Sequence, residues 1–328
     1  MRQRRRDYLQ LLTVDEVIQK IGAAVGRWLD PYSPFLNEAT RAIPAFTGYP
    51  PEAVQKGLAG FLGSLRAENL RRLVRDELGD PEILDGFRPR VAAPGLTRAI
   101  GPELIFHSFA GNVPGLAAQS LVMATLVKAA SLGKVAAGEP IFASLFARSL
   151  AAVDPRLGDC LAVAYWPGDD PLAGQAAFAA ADAVVAYGNE ATIESVRSRV
   201  RPGSRLIAYS HKLSFGVVLR ERLETRDLDD LADRAAYDVA RFDQQGCLSP
   251  HLLYVEEGGN VSAADFGRTL AASLQRWSAV VPRGKLTPSE KSRSTEVRRQ
   301  HEFRAAIGAG AVFGDADTDW AVLFDSDP

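Results

Sequence analysis

The chain has 328 residues, 47% apolar and 24% charged, enough for one large domain or two ordinary ones with a sizeable core. Its 38 Lys plus Arg nearly balance 40 Asp plus Glu, for a net charge of −2, which leaves no electrostatic footprint for a nucleic-acid partner. Two cysteines far apart exclude a disulfide framework and make a reducing cytoplasm the simplest setting.

The basic start, Met1-Arg-Gln-Arg-Arg-Arg6, is followed by no long apolar run. It reads as a solvated, frayed end rather than a signal peptide or membrane anchor. Val14, Val17, Ile18 and Ile21 make an apolar stripe that predicts a helix over 14–29. Leu58, Leu62 and Leu65, then Leu70, Leu73 and Leu78, do the same within 52–78. Residues 1–100 are therefore expected to be a helical region packing on the unit that follows.

From Glu103 the pattern alternates. Strands are predicted at 104–109, 133–136, 160–165, 183–187 and 205–209, with helices at 114–130, 139–153, 171–181 and 189–200 between them. The small, apolar run from Leu116 to Leu132 is interrupted by Gln119, Ser120 and Lys128, so it reads as buried helix and not as a membrane span. Five strands alternating with four helices predict a doubly wound parallel sheet over 101–215, with ligands at the carboxyl ends of the strands.

Those ends are polar and glycine-bearing: Ala110-Gly-Asn-Val-Pro114, then Lys134 with Ala137-Gly-Glu-Pro140, then Tyr187-Gly-Asn-Glu190, then Ser210-His-Lys-Leu-Ser-Phe-Gly216. Gly188 and Asn189 can offer backbone N–H groups to a phosphate at a helix N-terminus. Neither G-x-G-x-x-G nor G-x-x-x-x-G-K-[ST] is present, and each turn taken singly also reads as plain chain reversal. Their convergence on one sheet edge is what favours a ligand site.

Farther on, Leu228, Leu231, Ala235, Val239 and Phe242 predict a helix stopped at Gly246. Ser249-Pro250 marks a turn and Leu252–Val255 a buried strand, and another strand is expected at Trp320 to Phe324. Cys247 falls on the tight junction between helix and strand. A lone cysteine is more often a small buried apolar residue than a nucleophile, and both readings stand at this point. A helix C-terminus would not lower its thiol pKa, so activation must come from another group. No metal site is expected.

Four segments in this order carry a family resemblance: Phe109-Ala-Gly-Asn-Val-Pro-Gly115, Lys128 through Gly133-Lys-Val-Ala-Ala-Gly-Glu-Pro140, His211-Lys-Leu-Ser-Phe215, and Asp243-Gln-Gln-Gly-Cys-Leu-Ser-Pro250. Over roughly residues 85–325 the chain resembles the LuxC-type acyl-CoA reductases, the fatty-acid reductase components of bacterial luminescence and their wider relatives. These belong to the aldehyde dehydrogenase superfamily. The resemblance implies an aldehyde-dehydrogenase-like α/β fold: a NADP-binding Rossmann-like domain over 101–215 and an α/β catalytic domain over 216–328. Relatives continue with a further segment that carries a nicotinamide-ribose glutamate and an oligomerisation strand. The catalytic domain is thus expected to be incomplete at its C-terminus, and the full-length form to be a homo-oligomer.

By the same resemblance Cys247 matches the nucleophile and Asn112 the side-chain donor of an oxyanion hole. Phe109, Ala110 and Gly111 match the loop beside the nicotinamide, and Lys134 the lysine that reaches the adenosine ribose. Ordinary NAD-linked members place a glutamate where this chain has Ala137. Loss of that carboxylate leaves room for a 2′-phosphate without like-charge repulsion, so the expected cofactor is NADPH. The water-activating glutamate of aldehyde oxidation is also replaced, by the His211-Lys212 region. That fits reduction of a thioester, with His211 either a proton shuttle or a plain core or surface histidine. The acyl donor is expected to be an acyl-CoA or an acylated carrier or transferase. Two readings compete: an aldehyde-oxidising dehydrogenase, and a catalytically inactive nucleotide-binding or scaffold subunit.

Overall fold

The computed structural model describes residues 1–90, 93–168, 170–210, 212–314 and 320–326. The backbone divides into two units, one of Met1–Thr47 with Val54–His211 and one of Gly48–Ala53 with Lys212–Pro328.

In the first unit the stripe at 14–29 forms helix α1 (Val14–Leu29). Thr13 and Glu16 cap it reciprocally, and Glu16 accepts from the Thr13 N–H at 2.7 Å. Its Trp28 is fully buried against Phe142 and Phe146, and the indole N–H donates to Ser149 at 2.8 Å. The predicted 52–78 helix is two helices, α2 (Pro51–Gly63) and α3 (Ala67–Leu78). Arg66, in an extended conformation, breaks the run between them.

The basic start is not frayed. It forms a helix at Arg2–Asp7 in which Arg5 is buried and donates to the Lys128 carbonyl at 2.6 Å. Arg2 pairs with Glu103 at 2.6 Å and Asp182 at 2.9 Å. These partners lie a hundred or more residues away, so no local reading of the charge run could find them.

The alternation beyond residue 103 gives β1 (Leu104–Ser108), α4 (Leu116–Leu126), β2 (Ala130–Lys134), α5 (Phe142–Val153), β3 (Leu161–Ala164), α6 (Pro171–Ala180), β4 (Ala183–Gly188), α7 (Glu190–Arg197) and β5 (Arg205–Ser210). All neighbours are parallel, in the order β3-β2-β1-β4-β5. Helices α6 and α7 cover the face bearing Phe106, Val184 and Ala186. Ala124 of α4 packs on the opposite face, against Ile105, Ala183 and Val185. The sheet is therefore doubly wound, as the alternation predicts.

Element boundaries shift by up to four residues, the most at the end of α4. The structure ends α4 at Leu126 and starts β2 at Ala130, three residues before the expected Gly133. Lys128 takes a left-handed φ of 56°, and its buried ammonium pairs with Asp85 at 2.6 Å. The small buried run that follows suits helix and strand equally by pattern; the turn at Lys128 decides.

In the second unit β6 (Ser214–Val218) and β7 (Pro250–Val255) pair in parallel, joined through α8 (Leu228–Ala240). Helices α9 (Ala263–Val280) and α10 (Pro288–Ala306) follow, then an antiparallel pair, β8 (Gly310–Phe313) and β9 (Val322–Asp325). Val218, Leu223, Ala236, Phe266, Leu270 and Leu274 form the core, with Trp320 packed at its margin. Helix α8 ends at Ala240, so Phe242 does not continue its stripe and Gly246 is not its stop. Among the described residues no helix is long and apolar enough to cross a membrane.

Candidate functional site

Behind the loops at the carboxyl edge of the first unit's sheet lies a buried polar brace. His107 of β1 is completely buried, with Nδ1 2.7 Å from the Ser120 hydroxyl on α4 and Nε2 3.2 Å from the Ser131 hydroxyl on β2. Burial pushes its pKa down from 6.5 to about 3, so the ring is neutral. The Phe109 ring stacks on it at 5.6 Å and an interplanar angle of 18°. The same ring lies close to Gly133, where a Cβ would stand 2.6 Å from it. The Phe109 N–H donates to the Lys134 carbonyl at 3.0 Å. The first loop is thus fixed both to the sheet and to the strand beside it.

Gly111 brings this loop against the next. A Cβ there would lie 2.9 Å from the Glu139 nitrogen, so only glycine permits the approach. Glu139 is buried and accepts from the Ile141 and Phe142 N–H groups, each at 2.8 Å, which satisfies two donors at the start of α5. Burial raises its pKa in spite of those bonds. Asn112 and Ala137 are exposed on the two loops, with Ala110 half-buried between them.

Lys134 ends β2, part-buried, with its ammonium 5.7 Å from the Trp166 ring centre. Burial and the charge of Arg199 lower its pKa. Asn189 caps α7 by accepting from the Thr192 N–H at 2.8 Å. A Cβ on Gly188 would stand 2.7 Å from the Thr192 side chain, so glycine lets the strand run directly into the helix. The positive end of α7 is thereby set at the sheet edge. Strands β2, β1 and β4 are adjacent, so Phe109, Ala110, Gly111, Asn112, Lys134, Ala137, Gly188 and Asn189 all lie at the carboxyl ends of three neighbouring strands. Their donor set suits a dinucleotide phosphate: helix N–H groups, a lysine, and a turn whose one buried carboxylate is already engaged.

The second unit carries Cys247 on a strained turn. Phe242, Asp243 and Gln244 have φ values of 51°, 50° and 59°, a left-handed run of three non-glycine residues. Several bonds hold it. The Asp243 carboxylate accepts from the Gly284 N–H at 2.9 Å, and the Phe242 carbonyl accepts from the Tyr49 hydroxyl at 3.1 Å. Gln244 donates to the Pro250 carbonyl at 3.0 Å. Burial, with Asp243 beside it, raises the Tyr49 phenol above its ordinary pKa.

Cys247 itself is exposed, and its carbonyl accepts from the Ser214 hydroxyl on β6. Cys160 is buried, and burial pushes its thiol up to about 11. The two cysteines thus divide between the two readings the sequence left open: Cys160 packs and Cys247 is accessible. His211 lies outside the described residues. His107, Tyr49, Ser214 and Gly284 were not anticipated. Nothing local marked Tyr49 or Gly284 as neighbours of the cysteine turn.

Comparison with known proteins follows the same outline. A family model described as acyl-CoA reductase (LuxC) matches residues 9–327. A long-chain acyl-protein thioester reductase from Vibrio harveyi is 24% identical over an alignment of 328 positions that covers 98% of this chain and 65% of the relative. One from Photorhabdus laumondii is 28% identical over 269 residues, 80% of this chain and 54% of the relative. The chain therefore spans between about half and two thirds of the length of these curated relatives. An indole-3-acetaldehyde dehydrogenase crystallised with NAD+ superimposes with a TM-score of 0.64 at 18% identity, over 95% of this chain and 61% of that one. A benzaldehyde dehydrogenase from Corynebacterium glutamicum does so with a TM-score of 0.66 at 15% identity, over 99% and 68%. The fold is that of the aldehyde dehydrogenases, and the chain belongs to the acyl-CoA reductase (LuxC) family.

Proposed function

We propose that this chain carries the cofactor-binding and nucleophile-bearing parts of an NADPH-dependent acyl-thioester reductase, which forms aldehyde through an acyl-enzyme on Cys247. The observation that carries the reading is the exposed Cys247, on a turn pinned by its own motif, within a chain matched by the acyl-CoA reductase family.

The Cys247 thiolate attacks the carbonyl carbon of an acyl thioester, and the C–S bond to the donor thiol breaks. The Asn112 carboxamide keeps the role the resemblance implies, donation to the oxyanion. NADPH supplies the two electrons, as hydride, that the acyl carbon needs. Collapse of the resulting thiohemiacetal returns the Cys247 thiolate and releases aldehyde, and a proton from the medium or from His211 completes the balance. By the resemblance, Ala137 stands where NAD-linked members carry a ribose-binding glutamate, and the lack of a carboxylate there favours NADPH over NADH. The relatives' names point to an acylated protein as donor; acyl-CoA is the second donor to try.

NADPH oxidation with acylated protein and with acyl-CoA tests this, wild type beside Cys247→Ala. Turnover and thioester labelling only in the wild type are expected. Undiminished labelling of the variant would sink the assignment.

A further inference from the structure

The turn that carries Cys247 is held from two sides. The Ser249 N–H donates to the Gly246 carbonyl at 3.0 Å, so Cys247 is the second residue of a hydrogen-bonded four-residue turn. The Cys247 carbonyl, on the central peptide of that turn, accepts from the Ser214 hydroxyl at 2.5 Å. Ser214 reaches it from the first position of β6, where the strand pairing is irregular. Ser214 pairs with Pro250 and Phe215 with Leu252, so His251 is an extra residue on β7. Such bulges are rare in parallel pairs, and beside active sites they re-aim a side chain.

On the other side stands the left-handed run of Phe242, Asp243 and Gln244. Gly246, the residue type suited to that conformation, lies outside it. Strain of this kind persists only where the surroundings over-determine it. Three chain segments meet to do so. The Asp243 carboxylate accepts from the Gly284 N–H at 2.9 Å, the Lys285 N–H donates to the Gly48 carbonyl at 3.2 Å, and the Tyr49 hydroxyl donates to the Phe242 carbonyl at 3.1 Å. A Cβ on Gly284 would stand 2.9 Å from the Asp243 carboxylate and 3.2 Å from the Gly48 oxygen, so glycine lets the three segments meet.

A plain reversal between helix and strand needs none of this, and neither does the reaction of an exposed thiol with a small alkylating agent. Acyl transfer does, because the developing oxyanion is stabilised by donors fixed in place, backbone N–H groups among them. A freed turn would keep the thiol exposed and lose that orientation. We propose that Ser214 and Asp243 are positioning residues for Cys247: Asp243 holds the strained run, Ser214 fixes the Cys247 peptide, and together they serve acyl transfer rather than exposure of the thiol. This deepens the acyl-enzyme reading above and rests on it.

The test sets two reactions of one thiol side by side in the whole chain. They are acylation by dodecanoyl-CoA, with release of the coenzyme A thiol, and alkylation by iodoacetamide, each followed as mass added to the peptide containing Cys247. Cys160 is buried and stays out of both. Ser214→Ala and Asp243→Ala are each expected to slow acylation about tenfold, the worth of one hydrogen bond, and to leave alkylation within about twofold. Ser214→Thr keeps the hydroxyl and Asp243→Asn the acceptor oxygen, and both should recover most of the loss. Should Asp243→Ala not fold, Ser214→Ala decides, since its bond lies at the surface. Equal slowing of both reactions, a loss that the conservative variants do not recover, or unchanged acylation in either alanine variant overturns the positioning roles and leaves the acyl-enzyme reading standing. A wild type that iodoacetamide alkylates but dodecanoyl-CoA does not acylate overturns the acyl-enzyme reading, and the positioning roles with it.

Discussion

Behind the loops at the carboxyl edge of the first unit's sheet, His107, Phe109, Gly133 and Glu139 are buried and braced by bonds between adjacent strands and helices. Around Cys247 of the second unit, the chain runs through three left-handed residues and is held mostly by single bonds to the ends of the turn, to Gly284 and to Tyr49. The first region is stabilised by packing, so a change there should cost folding and binding together. The second stores backbone strain beside an exposed thiol, so a change there should cost chemistry or local order while the nucleotide edge survives.

The largest effect is expected from Cys247→Ala. Turnover should fall by on the order of a thousandfold or more, with NADPH affinity nearly unchanged by titration. A matching loss of NADPH binding would break the separation between the two regions. His107→Phe comes next. It leaves the Ser120 and Ser131 hydroxyls without their partner and should cost on the order of 3 kcal/mol in urea unfolding, with weaker nucleotide binding. The same variant sharpens the comparison through pH. The unfolded chain takes up a proton at this histidine below about pH 6.5, while the folded chain resists it down to about 3. The stability tied to the neutral ring is therefore fully present above pH 6.5 and is lost as pH falls toward 3, by at most about 1.4 kcal/mol per unit. Acid titration of wild type should show that slope, and His107→Phe should lack it.

Gly133→Ala forces a methyl into the Phe109 ring and should cost roughly 1–3 kcal/mol. Nucleotide affinity should fall with it; an unchanged affinity would show that the ring does not position the loop. Asp243→Ala is the smallest. It removes the acceptor of the Gly284 N–H and should cost roughly 1–2 kcal/mol, with loosened hydrogen exchange confined to the cysteine turn.

Much of the first unit was legible because parallel strands and their helices announce themselves by period and length. Cys247 was legible as a motif on a glycine-bearing junction and Cys160 as the first residue of a sheet strand, but the exposure of the one and the burial of the other were not. Helices α9 and α10 stood outside the predicted elements, although the reciprocal cap of Thr287 and Glu290 is a local signal at the start of α10. The Lys128 turn was missed because Ala129-Ala-Ser-Leu132 has no period to choose between helix and strand. The buried role of Arg5 was missed because its acceptor is the carbonyl of Lys128.

The sequence by itself determined the alternation of elements, the glycine-bearing turns at the strand ends and the motif that holds the cysteine, since each depends on residues close together in the chain. Tertiary structure decided the rest: which distant carboxylate pairs with Arg201, which cysteine is exposed, and that residues 48–53 join the unit of 212–328. Those outcomes depend on partners far apart in sequence, and a local pattern carries no information about a charge or a carbonyl that folding brings in from elsewhere.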